Sequence, residues 1–309
     1  MSIETFESAL LEFSEKSCAR QFFIRRDFPL RRLTSFRIGG NADAVVYPKD
    51  AEAFAFAVDQ ARRSETPYLI LGNGSNTLAS DKGYRGVVLA TTDMRRVEVD
   101  KDQIRGGCGV LLGSIGTNAA CAQLSGAEFA NGIPGTLGGA IYMNAGAYGG
   151  QFSDIVLETE CYDPDTGNFL TLRKDAHSFG YRKSIFMETN YIILSALLQL
   201  QRGDEAEIRD RMRGYLQSRR EKQPLEYPSA GSIFKRPEGN YAGKLIEEAG
   251  LKGAKIGGAM VSPKHAGFIV NTGGATADDV LRLIELVQTR VLKSSGVRLE
   301  CEVRFIGEK

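Results

Sequence analysis

The sequence predicts a protein of mixed helices and strands, of the α+β class, in two or three domains. Three observations predict it. The chain has 309 residues, more than the roughly 100–200 that one ordinary domain holds. Stretches with helical periodicity are interleaved with short β-rich runs that end at glycine or proline turns. The composition then breaks at Gln201–Asp204, where the apolar YIILSALLQL (191–200) gives way to the charged EAEIRDRMRGYLQSRREK (205–222).

Taken in order, residues 2–17 place Phe6, Leu10 and Phe13 on one helical face. ADAVVYP (42–48) reads as a strand stopped by Pro48. Asp50 then caps a helix reaching about Arg63, with Phe54, Val58 and Ala61 inward. PYLILGNGSN (67–76) is a buried strand running into a glycine turn. Strand signals follow at 86–90, 95–100 and 103–110, and a helix over 111–124. IVLETECYDP (155–164), FLTLRK (169–174) and 191–200 are further strands, the last too short to span a bilayer. Beyond the composition break, the 205–222 helix spaces Ile208, Met212 and Tyr215 for one face. Two more helices are predicted at 242–249 and 277–293. The second opens with Thr276-x-x-Asp279, a capping-box start, and buries Val280, Leu283, Ile284, Val287 and Val291. RLECEVRFI (298–306) closes the chain as a strand. Its alternation sets Leu299, Cys301, Val303 and Phe305 on one face, with Glu300, Glu302 and Arg304 on the other.

Lys plus Arg (39) and Asp plus Glu (38) nearly cancel, so nothing in the net charge calls for nucleic acid or an acidic membrane as partner. Five scattered cysteines (Cys18, Cys108, Cys121, Cys161 and Cys301) contain no C-x-x-C pair. That spacing supports neither a zinc site nor a disulfide framework, and it fits reduced thiols in the cytoplasm. No metal is expected. The acidic, periodic start MSIETFESALLEF does not read as a secretory signal.

Glycine is concentrated in two places. LGNGSN (71–76) follows a strand, and NGIPGTLGGAIYMNAGAYGG (131–150) holds seven glycines among residues that want burial, such as Ile133, Leu137 and Ile141. Glycine lets a backbone approach a ligand closely and leaves N–H groups free to point at an anion. Tight turns and close strand packing account for a lone G-x-G equally well. Two loops interleaved with Asn73, Ser75, Asn76, Thr136 and Asn144 favour a ligand. A Walker A loop is absent, since GNYAGKL (239–245) has the wrong gap and no hydroxyl. A Rossmann fingerprint is absent too, since G-N-G-S-N-T (72–77) lacks the third glycine and the helix. From the residues alone, the ligand is a diphosphate-bearing cofactor held by an unusual loop pair.

LTSFRIGGNADAVVYP (33–48), LGNGSNTL (71–78), GIPGTLGGAIYMNAGAYG (132–149) and FGYRKSIF (179–186) resemble, in order, the flavin half of the UDP-N-acetylenolpyruvoylglucosamine reductase family. SAGSIFKRP (229–237), AGKLIEEAGLKG (242–253), IGGAMVSPKHAGFIVN (256–271) and LECEVRFIG (299–307) are similar to its substrate half. The resemblance runs from about Leu33 to the C-terminus. It implies a two-subdomain FAD-binding module of the vanillyl-alcohol-oxidase type (residues 1–90, with 299–309 returning near it, and 91–202) plus an α+β substrate-binding domain (203–298). It also implies dissociable FAD, NADPH as hydride donor, and UDP-N-acetylglucosamine enolpyruvate as substrate. An FAD-dependent oxidase or dehydrogenase acting on another sugar or a hydroxy acid is the alternative on the same fold.

The resemblance further implies site residues. Ser232 would be the proton donor, with Arg182 and Glu302 as partners that steady developing charge. On pattern alone, Ser232 is ordinary turn chemistry, Arg182 a surface turn and Glu302 a solvated strand face. Gly72, Asn73, Gly74, Ser75 and Asn76 on one loop, with Pro134, Gly135, Thr136, Gly138, Gly139, Ala140 and Asn144 on the other, would meet FAD. Tyr181, Lys222, Lys235, Tyr241 and Lys264 would meet substrate. His265 fits a phosphate contact and a packed ring equally, and His177 is expected to be packed. The link between YRKS and SAGS is short, like the branch of the family that lacks an inserted tyrosine loop, and Met260 stands where a polar residue is common.

Overall fold

The computed structural model describes residues 3–17 and 21–308. Cys18 therefore lies outside the described residues. The chain forms two compact units. The first comprises residues up to Arg26 together with Ala44–Asn73 and Gly86–Ser218; the second comprises Asp27–Asp43, Gly74–Arg85 and Arg219 onward.

The first unit carries helix α1 (Ile3–Lys16), which buries Phe6 and Leu10 as its period predicts. Helix α2 (Ala51–Arg63) starts where the Asp50 carboxylate accepts the Ala53 amide at 2.8 Å, and its Phe54, Val58 and Ala61 are fully buried. The two helices meet through stacked Phe13 and Phe56, with ring centroids 4.3 Å apart. A four-stranded sheet runs in the order Phe22–Pro29, Asn41–Pro48, Tyr84–Ala90, Tyr68–Leu71, its last pair parallel. A five-stranded antiparallel sheet runs Asn168–Arg173, Val156–Asp163, Ile192–Gln199, Gln103–Gly107, Val97–Asp100. Helices α3 (Leu112–Cys121) and α4 (Leu137–Tyr142) bury Leu112, Ile115, Leu137 and Ile141 in the same core as this sheet.

The charged helix α5 (Glu205–Lys222) straddles the division between the compact units. The composition breaks at Gln201–Asp204, yet the compact units divide at Ser218. The reason is packing: Ile208 and Met212 are buried with Ala120 of α3. In addition, Arg211 reaches the buried Glu128 at 2.8 Å. Burial alone would raise the pKa of that carboxyl, but Arg211, the Gly126 amide and Ser125 outweigh it and hold the pKa below the usual value.

The second unit is built on an antiparallel sheet in the order Ser229–Ser232, Phe268–Asn271, Ala259–Val261, Lys255–Ile256. It is covered by α6 (Ala242–Glu248) and α7 (Ala277–Ser295). The capping box of α7 is present, with Thr276 and Asp279 each taking the other's amide, and Val280, Leu283, Ile284, Val287 and Val291 are buried. The closing strand is shorter than its alternation predicts. Only Arg304–Ile306 is strand, paired in parallel with Thr77–Ala79. Upstream, the Glu302 and Val303 amides both point at the Ile233 carbonyl, at 2.8 and 3.4 Å. That doubling breaks the period of two and leaves Cys301 exposed rather than inward.

Candidate active site

The two glycine loops meet within the first unit. The Asn73 side-chain amide donates to the Pro134 carbonyl at 2.6 Å. A Cβ placed on Gly72 would stand 2.5 Å from Thr136 Oγ1. Thr136 is buried and caps α4, its hydroxyl accepting the Gly139 amide at 3.4 Å. The Leu137 and Gly138 amides go to the Val110 and Cys108 carbonyls, each at 2.8 Å. Three successive amides of the glycine stretch are thus taken inside the chain rather than left for an anion.

Neighbouring glycines have different reasons for lacking a side chain. At Gly138 a Cβ would meet Cys108 Cβ at 2.8 Å and its carbonyl oxygen at 3.2 Å, so close packing of α4 on the chain behind it requires glycine. At Gly139 the nearest atom within 4 Å is Thr136 Oγ1, at 3.4 Å. Space is open on that side of the helix, which fits a ligand lying along the loop pair, as FAD would. Gly74, in the second unit, has φ +59°, and a Cβ there would stand 2.0 Å from the Leu33 carbonyl oxygen. Its cause is the chain's own backbone. Asn76, of the same unit, ties the C-terminal segment: its side chain donates to the Glu302 carbonyl at 3.1 Å, and its own carbonyl accepts the Arg304 amide at 3.0 Å.

Arg182 stands on a tight turn of the first unit, where Gly180 and Lys183 exchange amide and carbonyl at 3.0 and 3.2 Å. Its φ is +53°, a left-handed conformation uncommon for a long side chain. The guanidinium donates to the Gly146 carbonyl at 3.3 Å and lies over the Tyr181 ring at 5.3 Å. Tyr181 is exposed. Just before the turn, His177 is fully buried and stacked on Phe179 at 4.9 Å. Its Nδ1 donates to the Lys174 carbonyl at 2.9 Å, so Nε2 accepts the Thr159 hydroxyl at 2.8 Å. Burial lowers its pKa. His177 is a packed neutral ring, as expected.

Ser232 and Glu302 lie together in the second unit. Ser232 ends its strand after Gly231 (φ +74°), at a register shift against Phe268–Asn271. Its hydroxyl donates to the Phe234 carbonyl at 3.2 Å. The Glu302 amide bonds the carbonyl of the very next residue, Ile233, at 2.8 Å, so the main chain at Glu302 is tied one residue from Ser232. His265 stands close by. A Cβ on Gly267 would meet His265 Cε1 at 3.0 Å and Ser232 Oγ at 3.4 Å. His265 Nδ1 accepts the Gly267 amide at 3.1 Å and its ring meets Phe268 edge-on. Burial first, then Lys252, lowers its pKa.

Of the cations read from the sequence, Lys235 pairs with Glu300 at 3.3 Å. The Lys264 ammonium caps α5 by donating to the Arg220 carbonyl at 2.6 Å, so the structure gives it a structural task. Tyr241 is exposed beneath the Arg236 guanidinium, 4.0 Å from its ring centre. Lys222 is the exposed last residue of α5. Among the described residues no cluster of His, Cys, Asp and Glu could hold a metal, no helix is long and apolar enough to cross a membrane, and Cys108, Cys121, Cys161 and Cys301 are free thiols. Burial pushes the Cys108 and Cys161 thiols up to about 12. The sequence did not reveal Ser184 and Ser153, which hold the Arg182 turn and the glycine stretch through Tyr142 and Asn144; an isolated serine carries no periodic signal.

Residues 42–173, which contain both glycine loops, match the family described as FAD binding domain. Fold and loops together define an FAD-dependent oxidoreductase. Residues 223–306 match the UDP-N-acetylenolpyruvoylglucosamine reductase C-terminal domain. UDP-N-acetylenolpyruvoylglucosamine reductase of Caldanaerobacter subterraneus subsp. tengcongensis is 50% identical, over 91% of this chain and 93% of its own. That of Syntrophomonas wolfei subsp. wolfei is 45% identical, over 93% and 96%. The crystal structure of the Thermus caldophilus reductase matches with a TM-score of 0.78 at 35% identity, over 92% of this chain and 99% of that one. A glucose dehydrogenase at 15% identity and a TM-score of 0.50 shares the fold alone. The chain belongs to the UDP-N-acetylenolpyruvoylglucosamine reductase family.

Proposed function

We propose that this protein uses NADPH and FAD to reduce UDP-N-acetylglucosamine enolpyruvate to UDP-N-acetylmuramate, a step of peptidoglycan precursor synthesis in the cytoplasm. When bound, reduced FAD supplies the hydride to the enolpyruvyl double bond. The chain's own residues do the rest. Ser232 Oγ gives up the proton to the other alkene carbon, for which a positioned acid is worth about 10²–10⁴-fold. Arg182 steadies the negative charge that develops next to the substrate carboxylate, its planar fork suiting that group, and the Glu302 carboxyl assists as a hydrogen-bond donor. Lys222, Lys235, Tyr241 and Tyr181 hold the uridine diphosphate sugar, while Lys264, read from the sequence as a further contact, is spent on capping α5. Gly72–Asn76 and Pro134–Ala140 cradle FAD non-covalently; Asn144, read from the sequence as a further cofactor contact, has both ends of its side-chain amide bonded within the chain. By role the chain divides into FAD-binding residues 1–90, a second FAD-binding part at 91–202 and a substrate part at 203–298.

The observation that carries this reading is the join at Ile233, whose carbonyl takes the Glu302 amide one residue from Ser232. Segments about 70 residues apart, one carrying Ser232 and the other Glu302, are joined there main chain to main chain. The test is anaerobic. The yellow protein is reduced with NADPH, then mixed with UDP-N-acetylglucosamine enolpyruvate while flavin absorbance is followed. Prompt reoxidation with loss of the enol ether is the expected result. A flavin that stays reduced until oxygen enters would favour an oxidase acting on another sugar or a hydroxy acid. A protein that takes up no flavin would overturn the loop assignment.

A further inference from the structure

We propose that Asn144 is a positioning residue for Arg182, holding the arginine turn in its left-handed shape from within the glycine stretch. The proposal rests on the role assigned to Arg182 above.

Asn144 follows the end of α4, with φ +42°, a conformation asparagine tolerates better than most residues. It is 2% exposed. Its Nδ2 donates to the Gly180 carbonyl at 3.0 Å, with longer contacts of 3.4 Å to Gln151 Oε1 and Ser153 Oγ. Its Oδ1 accepts the Ser153 amide at 2.9 Å. Both ends of the amide are therefore engaged, and the side chain cannot rotate without losing both bonds. A side chain so committed acts on the neighbouring turn.

That turn needs holding. Gly180 and Lys183 close it, leaving Tyr181 and Arg182 at its corner. Arg182 has no glycine-like freedom to make its positive φ comfortable, and such conformations persist only where surrounding structure over-determines them. Three bonds supply that constraint, all from one short segment. Asn144 grips the entry of the turn at Gly180. Ser184, fully buried, grips its exit by donating to the Tyr142 carbonyl at 2.7 Å. The guanidinium itself donates to the Gly146 carbonyl. Residues 142, 144 and 146 thus form a bed for the turn. Part of what lies close to this glycine-rich backbone is the segment that carries Arg182.

The test is a double-mutant cycle on the flavin-loaded enzyme, with Asn144→Ala and Arg182→Ala singly and together. Asn144→Ala is expected to lower kcat about 10–100-fold, the scale on which a displaced catalytic group is felt, with bound flavin per chain unchanged. In the Arg182→Ala background the same change is expected to cost less than about threefold, because its target is already gone. Three outcomes overturn the proposal. Full additivity means Asn144 acts elsewhere. Loss of flavin with normal turnover per bound flavin means it serves the cofactor directly. Near-normal turnover of Arg182→Ala alone removes the role of Arg182, and with it both this proposal and that part of the proposed function. Should Asn144→Ala not fold, Ser184→Ala tests the other clip. It is expected to lower kcat several-fold in the wild-type background and to have no further effect beside Arg182→Ala; unchanged kcat overturns the proposal.

Discussion

Arg182 sits on a turn shaped by side chains, whereas Ser232 at a strand end and Glu302 just ahead of the closing strand are placed by backbone hydrogen bonds. Around Arg182 the holding groups are the Asn144 amide, the Ser184 hydroxyl and the packed His177–Phe179 pair. Around Ser232 and Glu302 they are the Ile233 carbonyl, the turn at Gly231 and the Asn76 tie to two backbone groups. A side-chain tie can be removed by one substitution. A backbone tie cannot, and yields only when the strand moves. Substitutions around Arg182 should therefore produce graded, local losses. Around Ser232, the serine and glutamate themselves should dominate.

The largest expected effect tests that dominance. Ser232→Ala should lower kcat by about 10³-fold while leaving the flavin spectrum and melting temperature near those of the parent, because its hydroxyl makes one bond, to the Phe234 carbonyl. Retained turnover would remove serine as the acid. Next comes Arg182→Lys, expected to lose about 10²-fold in kcat, since an ammonium cannot present two parallel donors. A loss below threefold, read by steady-state kinetics, would make the left-handed turn a structural curiosity.

The bed beneath the turn offers a paired comparison of adjacent glycines. Gly138→Ala should destabilise the protein by roughly 1–3 kcal/mol, because its methyl would press into Cys108, where backbone atoms cannot give way. Gly139→Ala should leave stability unchanged or raise it by up to about 1 kcal/mol, as alanine favours a helix, yet weaken FAD binding. Denaturant melts of the apoprotein together with flavin titration separate the two. Equal flavin affinity in Gly139→Ala would mean the open side of α4 faces something other than cofactor.

The smallest effect concerns His177. Its folded-state pKa is lowered by burial, so below the ordinary value near 6.5 the unfolded chain takes up a proton that the folded ring refuses. Stability carried by the neutral ring is complete above that pH and is lost as pH falls beneath it. Unfolding free energy should drop more between pH 7.5 and 5.5 in the parent than in His177→Gln. An equal drop in both would show that the ring does not titrate with folding.

Much of this was legible along the chain. The Asp50 cap, the Thr276–Asp279 box and the apolar faces of α1, α2 and α7 follow from local spacing, and the structure reproduces them. The loop pair was legible as unusual, because glycine excess beside burial-seeking residues needs a cause. What spacing could not convey is which cause applies where. Gly138 answers to Cys108 and Gly74 to Leu33, each distant in sequence, while Gly139 faces open space. Nor did the charged composition of α5 reveal that Ile208 and Met212 dock on α3 and carry the helix into the first unit.

By itself, the sequence determined the elements, their caps and their apolar faces, since these rest on interactions within a few residues. In resembling a known reductase family, it also determined the class of chemistry. Only the tertiary structure decided where the closing strand begins, because two amides compete for one Ile233 carbonyl. It alone decided that Lys264 caps a helix, and that Asn144 spends both ends of its amide inside the protein. Each of those outcomes depends on a partner dozens of residues away or on the filling of a particular space, and neither is written in local spacing.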